Sequence, residues 1–375
     1  MQHTNDSLQQ QIEKLQLQLS KKNRRKSNPP QVPSPMPRGP QVRMKQVQED
    51  HSVKAQPSKQ HVHLHQLQPS VRQSLRESLW IDRGRAPNDM ARGAAVVDGN
   101  MAYFMSWDGQ TCSYNSSTQK WKQLPMCPCV FSGLAVVRGY LTAIGGRKGS
   151  AILNELLALR VNLVVMDQKW VGYFPPMPTK RSHTAAVTTI QHLIVAGGEN
   201  GSNRLDTVEV LDIETLVWST AASLPHPYSY ASATICGDQL YILGEHEKVA
   251  FGSSREPQVV LASSLTQLLH SCHETLSNSV WHGIADIPVY RSTCATINGE
   301  LIAVGGLDAK FNTTSAVRKY NPTTDSWDII TSMPTARYRC LVAVLPANEM
   351  MVVGGMINVY DCDPLIIGEV ETMFY

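Results

Sequence analysis

Along residues 76–375, short apolar runs recur in one order, separated by turn residues. Each unit opens on small and β-branched residues: GAAVVDG at 93–99, GLAVVRG at 133–139, TAAVTTI at 184–190, ASATICG at 231–237, CATING at 294–299 and LVAVLP at 341–346. That composition predicts a strand, and the short side chains suit one crowded by its neighbours. A more apolar run follows and ends in paired glycines: LTAIGG at 141–146, LIVAGG at 193–198, LIAVGG at 301–306 and MVVGG at 351–355. Glycine there permits positive φ and close backbone approach. A third run, such as VEVLD at 208–212 or VRKYN at 317–321, leads through a turn to a fourth that carries a tryptophan.

Six tryptophans hold that phase: Trp80, Trp121, Trp170, Trp218, Trp281 and Trp327, separated by 41, 49, 48, 63 and 46 residues. A four-strand unit with a period of 40–50 residues is the mark of a β-propeller, whose sheets stand radially around a channel. The first strand of each blade then lines the channel and the Trp-bearing strand lies outermost. A Trp packed on the neighbouring sheet is worth about 3–5 kcal/mol against alanine. The expected fold is all-β, a six-bladed propeller behind an N-terminal tail that is disordered or partly helical.

The succession of paired glycines, an aromatic-ended strand and a phased tryptophan resembles the kelch repeat, and the resemblance covers residues 76–375. Two units depart from it, with Ser106-Trp107 in place of Gly-Gly in the first and Gly244-Glu245 in the fourth. The alternative propeller signature, Gly-His paired with Trp-Asp, does not recur, since Trp107-Asp108 stands isolated.

The sixth unit supplies three strands and ends at Tyr375 without a tryptophan strand of its own. Glu77-Ser-Leu-Trp80-Ile-Asp supplies the missing one, so that both ends of residues 76–375 share blade six and no sheet edge is left open. The fourth unit carries an insertion between Glu245 and Ser279. Within it Leu261, Leu265, Leu268 and Leu269 fall at helical spacing, which predicts a third strand running into a short helix packed on the blade's side. His270, Cys272 and His273 there have no second ligand cluster at metal-binding spacing.

Charge divides the chain at the same boundary. Residues 1–75 hold 12 Lys+Arg against 4 Asp+Glu, and residues 76–375 hold 22 against 27, so the net +3 hides a basic tail on an acidic body. Leu8, Ile12, Leu15 and Leu19, within a segment of about 6–20, have coiled-coil spacing that suits weak dimerisation. Lys21–Lys26 is a basic cluster of the nuclear-import kind, Pro29–Pro40 is a proline-rich spacer, and His61, His63 and His65 alternate in Gln-rich sequence. No aromatic interleaves with the basic cluster, which argues against specific nucleic-acid recognition. Eight irregularly spaced cysteines do not make a disulfide framework, and the N-terminus is polar with no apolar run long enough to span a membrane. The expected location is the cytoplasm, with the nucleus reached through Lys21–Lys26.

A propeller hosts both enzymes and binders, so function rests on the residues at its faces. The loops entering each inner strand bring Arg92, Ser132, Arg181, Ser182, Tyr230, Arg291, Ser292 and Arg339 to the channel mouth, with Arg147, Lys148, Asn200, Asn203, Asp308 and Lys310 further out. Guanidinium and hydroxyl groups together suit an acidic or phosphorylated peptide segment. The kelch resemblance implies the same, because Arg-Ser at this place contacts ligand in kelch proteins that bind linear motifs, and Arg181-Ser182 and Arg291-Ser292 match. The reading is a non-catalytic protein-interaction module, an adaptor or scaffold with no cofactor, metal or catalytic residue. A ubiquitin-ligase or cytoskeletal link follows from the resemblance alone. The alternative is a propeller enzyme, of galactose-oxidase type through His183, Tyr228, Tyr230 and His246, or a sugar-processing one needing paired acid and base groups.

Overall fold

The computed structural model describes residues 80–161, 168–246, 258–273, 280–358 and 364–375. The expectations for the tail, namely its heptad-like segment and dimerisation, the Lys21–Lys26 cluster, the proline-rich spacer and the alternating histidines, lie outside the described residues. No helix among the described residues is long and apolar enough to cross a membrane.

Strand β1 (Trp80–Arg85) comes first in the chain and joins the last blade. Blade one is β2 (Ala94–Asp98), β3 (Met101–Met105), β4 (Thr111–Asn115) and β5 (Lys120–Gln123). Blade two is β6 (Gly133–Val137), β7 (Tyr140–Ile144), β10 (Leu156–Arg160) and β11 (Val171–Phe174), with a small ribbon of β8 (Arg147–Lys148) and β9 (Ala151–Ile152) in its loop. Blade three is β12 (Ala185–Thr188), β13 (His192–Ala196), β14 (Val208–Asp212) and β15 (Trp218–Ala221). Blade four is β16 (Tyr228–Cys236), β17 (Gln239–His246), β18 (Gln258–Ser264) and β19 (His282–Ile287), and blade five is β20 (Thr293–Ile297), β21 (Glu300–Val304), β22 (Ala316–Asn321) and β23 (Ser326–Ser332). Blade six is β24 (Leu341–Leu345), β25 (Glu349–Ile357) and β26 (Leu365–Phe374), closed by β1.

All these ladders are antiparallel, and each inner strand touches the inner strands of both neighbouring blades, β24 meeting β2 to close the ring. The small residues read at the start of each unit face this crowding. A Cβ added to Gly133 would lie 3.0 Å from Ala186 Cβ on the next blade. The apolar core lies between blades, as where Phe104 and Cys112 of blade one pack with Leu341, Met351 and Val353 of blade six.

The phased tryptophans join neighbouring blades by hydrogen bonds as well as by packing. The indole N–H of Trp170 donates to Pro125 O (2.8 Å), that of Trp218 to Pro175 O (3.1 Å), that of Trp281 to Ala222 O (3.0 Å) and that of Trp327 to Ala285 O (2.7 Å). Each acceptor lies in, or just past, the outer strand of the preceding blade. Trp121 packs instead on Phe104 and Tyr114 in its own blade.

In blade six, Trp80 pairs with Met373, Ile81 with Thr372 and Asp82 with Glu371, followed by a bulge and the pair Arg85 with Glu369. Arg83 adds an ion pair to Glu349 at 2.8 Å, two strands away. The insertion of blade four changes from strand to helix at Ser264, whose side chain accepts from the Gln267 N–H and caps α1 (Leu265–His270). Leu268 is fully buried against the blade, and Ser271 Oγ accepts from the Ala222 N–H at 2.9 Å, so the helix seals the side of the propeller.

Paired glycines end the second strand in blades two, three and five, and in blade six they form an irregularity within β25, all with positive φ. Where Gly244-Glu245 replaces them in blade four, β16 and β17 run on as an extended ladder, pairing Ser229 with Glu245 and Tyr228 with His246.

Candidate functional site

Six non-glycine residues with left-handed backbone stand one per blade at the channel mouth: Arg92 (φ 53°), Phe131 (56°), His183 (54°), Tyr230 (53°), Arg291 (56°) and Arg339 (51°). In five blades the residue lies two positions ahead of the inner strand, and in blade four it sits in the bulge between Ser229 and Ser232. At Arg92, Phe131, His183 and Arg339 the conformation turns the amide toward the neighbouring blade, with Phe131 N–H donating to Trp107 O at 2.9 Å. His183 N–H donates to Phe131 O (2.9 Å), Arg339 N–H to Arg291 O (3.0 Å) and Arg92 N–H to Arg339 O (3.0 Å). Left-handed backbone costs an L-residue about 1–2 kcal/mol, and glycine or asparagine would make the same bonds more cheaply. Large polar and aromatic side chains held there against that cost make these six the candidate functional positions.

These six side chains surround a cavity of about 180 Å³ whose walls are the small residues of the inner strands, among them Gly93, Ala94, Gly133, Ala186 and Ala231. The mouth has two chemically distinct halves. Blades five, six and one, which are adjacent, contribute Arg291, Arg339 and Arg92. Blades two, three and four contribute Phe131, His183 and Tyr230, which stack in a continuous arc with ring centroids 4.2 Å and 4.1 Å apart. Trp107 extends the arc by stacking on Phe131 at 5.4 Å, and the Arg339 guanidinium lies over the Tyr230 ring at 5.2 Å, where the halves meet. Arg92 Nε donates to Met356 Sδ at 3.2 Å.

His183 is the titratable centre of the arc. Its side chain is only 7% exposed, and Nδ1 lies 3.1 Å from Glu199 Oε1. Burial, reinforced by the positive charges of Arg339, Arg147 and Arg92, pushes its pKa down to about 4, so the imidazole is neutral at physiological pH. A carboxylate only accepts, so Nδ1 carries the proton and Nε2 is left as an acceptor. Nε2 is buried and has no hydrogen-bond partner among the described residues.

The residues expected at the mouth divide into three groups. Arg92, Tyr230, Arg291 and Arg339 line the cavity. Ser132 and Ser292 line it too, but donate their hydroxyl protons inward, to Gly145 O at 3.2 Å and to Gln258 Oε1 at 2.8 Å. Arg181 and Ser182 require correction, since both are fully buried. The Arg181 guanidinium bonds Gly197 O (2.8 Å) and Thr207 O (3.1 Å) and meets Glu209 at 3.0 Å, while the Ser182 backbone bridges to Glu199. In register Arg181 corresponds to Val289, and Arg291 corresponds to His183, so the two Arg-Ser pairs lie two residues out of phase. Arg337 in blade six repeats the role of Arg181, bonding Gly354 O and Glu369 O and meeting Glu371 at 2.9 Å.

Phe131 and His183 also line the cavity, although Phe131 was not expected there and His183 was named only as a copper-ligand candidate. Their signal was position, two residues ahead of each run of small residues. Further out, Asn200 and Asp308 cap their own loops, Asn200 Oδ1 accepting from Asn203 N–H and Asp308 Oδ1 from the Lys310 and Asn312 N–H groups. Tyr228, a candidate for an enzyme centre, is 2% exposed in the core of blade four, and burial pushes its pKa up to about 12. No group of three metal-binding side chains occurs among the described residues.

Fold and mouth together define a six-bladed propeller with a cavity of about 180 Å³ at the mouth of its channel. The kelch motif model matches residues 180–225 and 288–334, which contain the expected glycine pairs and tryptophans of blades three and five. The chain therefore carries kelch motifs and resembles kelch-repeat proteins. It is 25% identical over 59% of its length to Kelch-like protein 25 of Xenopus tropicalis, covering 36% of that protein. It is 29% identical to Kelch-like protein terF of Aspergillus terreus over 35% of this chain and 30% of that one. It is 24% identical to Kelch-like protein 23 of Homo sapiens over 67% and 41%. The chain thus spans less than half the length of these relatives. Among solved structures it resembles YjhT in fold, with a TM-score of 0.58 at 15% identity over 75% of this chain and 98% of that one.

Proposed function

We propose that this propeller is a non-catalytic interaction module, an adaptor or scaffold, that docks a partner protein by seating an acidic or phosphorylated segment at the channel mouth. The observation that carries the reading is the placement of Arg92, Arg291 and Arg339 at the left-handed positions of three adjacent blades, where the backbone conformation costs stability and the side chains converge on one cavity. Guanidinium groups so arranged bind carboxylate or phosphoryl oxygens in bidentate fashion. Size supports the same reading. Sites for whole small molecules span about 300–1,000 Å³, whereas about 180 Å³ admits one or two side chains of a peptide. Among the described residues, no Asp or Glu lines the cavity, so the paired carboxylates of sugar-processing chemistry have no place in it.

The test presents the purified protein with pools of acidic, phosphorylated and neutral peptides and measures retention as salt rises. Retention of the acidic or phosphorylated pools, weakening with salt and lost in Arg92→Glu/Arg339→Glu without a fall in melting temperature, is the expected result. Equal retention of the neutral pool would remove the proposal.

A further inference from the structure

Arg92, Arg291 and Arg339 occupy one half of the mouth. The other half contains a group with a stricter requirement. His183 Nδ1 faces Glu199 at 3.1 Å, its side chain is only 7% exposed, and its Nε2 is a buried acceptor with no partner among the described residues. It stands between Phe131 and Tyr230, whose rings pack on it at 4.2 Å and 4.1 Å, so a small movement of these mouth side chains opens Nε2 to a ligand in the cavity they line. A buried polar atom held without a partner is costly, and a ligand that supplies the missing donor recovers that cost on binding.

Resting on the docking reading above, we infer that His183 is a specificity-determining residue and that the bound segment carries a hydrogen-bond donor beside its acidic side chain. The donor, a hydroxyl or an amide N–H, gives its proton to Nε2 while the carboxylate of a neighbouring Asp or Glu engages the arginine half. The class recognised is therefore an acidic peptide pairing Asp or Glu with Ser, Thr, Tyr, Asn, Gln or Trp at one fixed spacing. A hydroxyl that becomes phosphorylated is a poor match, because a phosphate dianion sets acceptor against acceptor at Nε2.

His183→Phe is the informative variant. Phe131 occupies the same position of blade two at φ 56°, so this backbone accepts phenylalanine, and the stack survives while the acceptor is lost. His183→Gln returns an acceptor near the place of Nε2. A randomised octapeptide library is selected on the immobilised full chain for the parent protein, both His183 variants and Arg92→Glu/Arg339→Glu, with melting temperatures as a folding control.

The expected result is enrichment of Asp or Glu with a donor residue at constant spacing on the parent protein. On His183→Phe the acid persists and the donor preference disappears, and on His183→Gln both persist. Replacing the donor by alanine in the best peptide weakens binding to the parent protein roughly tenfold and leaves binding to His183→Phe unchanged. Acid enrichment without a fixed donor, or a donor preference untouched in His183→Phe, overturns this inference and leaves the docking reading standing. Loss of acid enrichment on the parent protein overturns this inference, and overturns the docking reading as well where the phosphorylated pool is not retained.

Discussion

The guanidinium of Arg181 lies 3.0 Å from the carboxylate of Glu209, and both side chains are almost wholly shut off from solvent. The two charges touch without hydrogen-bond alignment, since Glu209 Oε2 accepts no hydrogen bond, while Arg181 is anchored by Nη1 to Gly197 O and Thr207 O. Burial pushes the guanidinium pKa down and Glu209 opposes that shift. Removing one partner strands the other charge in the core, which costs about 3–5 kcal/mol. Arg181→Met is therefore expected to lower unfolding free energy by that amount in urea titrations, with peptide affinity per folded molecule unchanged. A loss of binding at unaltered stability would return Arg181 to the mouth.

The backbone of Arg181 also explains why a glycine ends the second strand of blade two. Gly145 has φ 60°, and a Cβ there would fall 2.3 Å from Arg181 O. Gly149, in the loop just beyond, has the same φ of 60° but open space around its Cα. Both alanine variants bear the strain of left-handed backbone, about 1–2 kcal/mol, and only Gly145→Ala adds a backbone collision. Thermal unfolding should show Gly145→Ala the more destabilised by at least about 2 kcal/mol. Equal losses would mean the close approach carries no energetic weight.

Closure of the ring depends on a strand far from its blade in sequence. Trp80, Ile81 and Asp82 pair with Met373, Thr372 and Glu371, and Arg83 reaches Glu349. Removing β1 exposes the edge of β26 and uncovers the buried cluster of Met350, Val352 and Met373 on which Trp80 packs. Deleting residues 76–86 should lower the melting temperature by on the order of 10 °C, whereas deleting 1–70 should leave it nearly unchanged. Similar shifts for the two deletions would contradict a shared blade.

The strands were legible because each blade repeats one polar and apolar pattern, and six weak signals in register reinforce each other. The strand around Trp80 could be read because the sixth unit lacked a tryptophan and a spare one lay at the other end. The site was legible only in part. Arg92, Arg291 and Arg339 follow from position, but Arg181-Ser182 looks like Arg291-Ser292 as a dipeptide and lies two residues out of phase with it. Two facts hide that offset from sequence. Positive φ at a non-glycine residue leaves no compositional mark, and the partner that buries Arg181 is Glu209 on another strand. The aromatic arc escaped for the first reason: Phe131 looks like an ordinary loop residue until its backbone is known, and His183 stood out only as a copper-ligand candidate beside Tyr228 and Tyr230.

His183 gives the mouth a dependence on pH that can be worked out from its surroundings. Its folded pKa of about 4 lies below the ordinary 6.5, because burial and the charges of Arg339, Arg147 and Arg92 outweigh Glu199 at 3.1 Å. Between those two values the unfolded chain binds a proton that the folded chain refuses, so folding stability falls as pH falls. The His183 contribution is fully present above about pH 6.5, declines from there to about pH 4 and is constant below. Over the interval from pH 7.5 to 5.0 it amounts to about 2 kcal/mol, at 1.36 kcal/mol per pKa unit. Carboxylates titrate in the same direction at lower pH, so the quantity to measure is the difference between the parent protein and His183→Phe, which lacks the imidazole and keeps the rest. Urea unfolding at the two pH values should show the parent losing about 2 kcal/mol more than the variant, and the His183 ring resonances should not titrate until near pH 4. An imidazole that titrates near 6.5, with no difference in the pH slopes, would place His183 in contact with bulk water and remove the buried acceptor on which the peptide specificity rests.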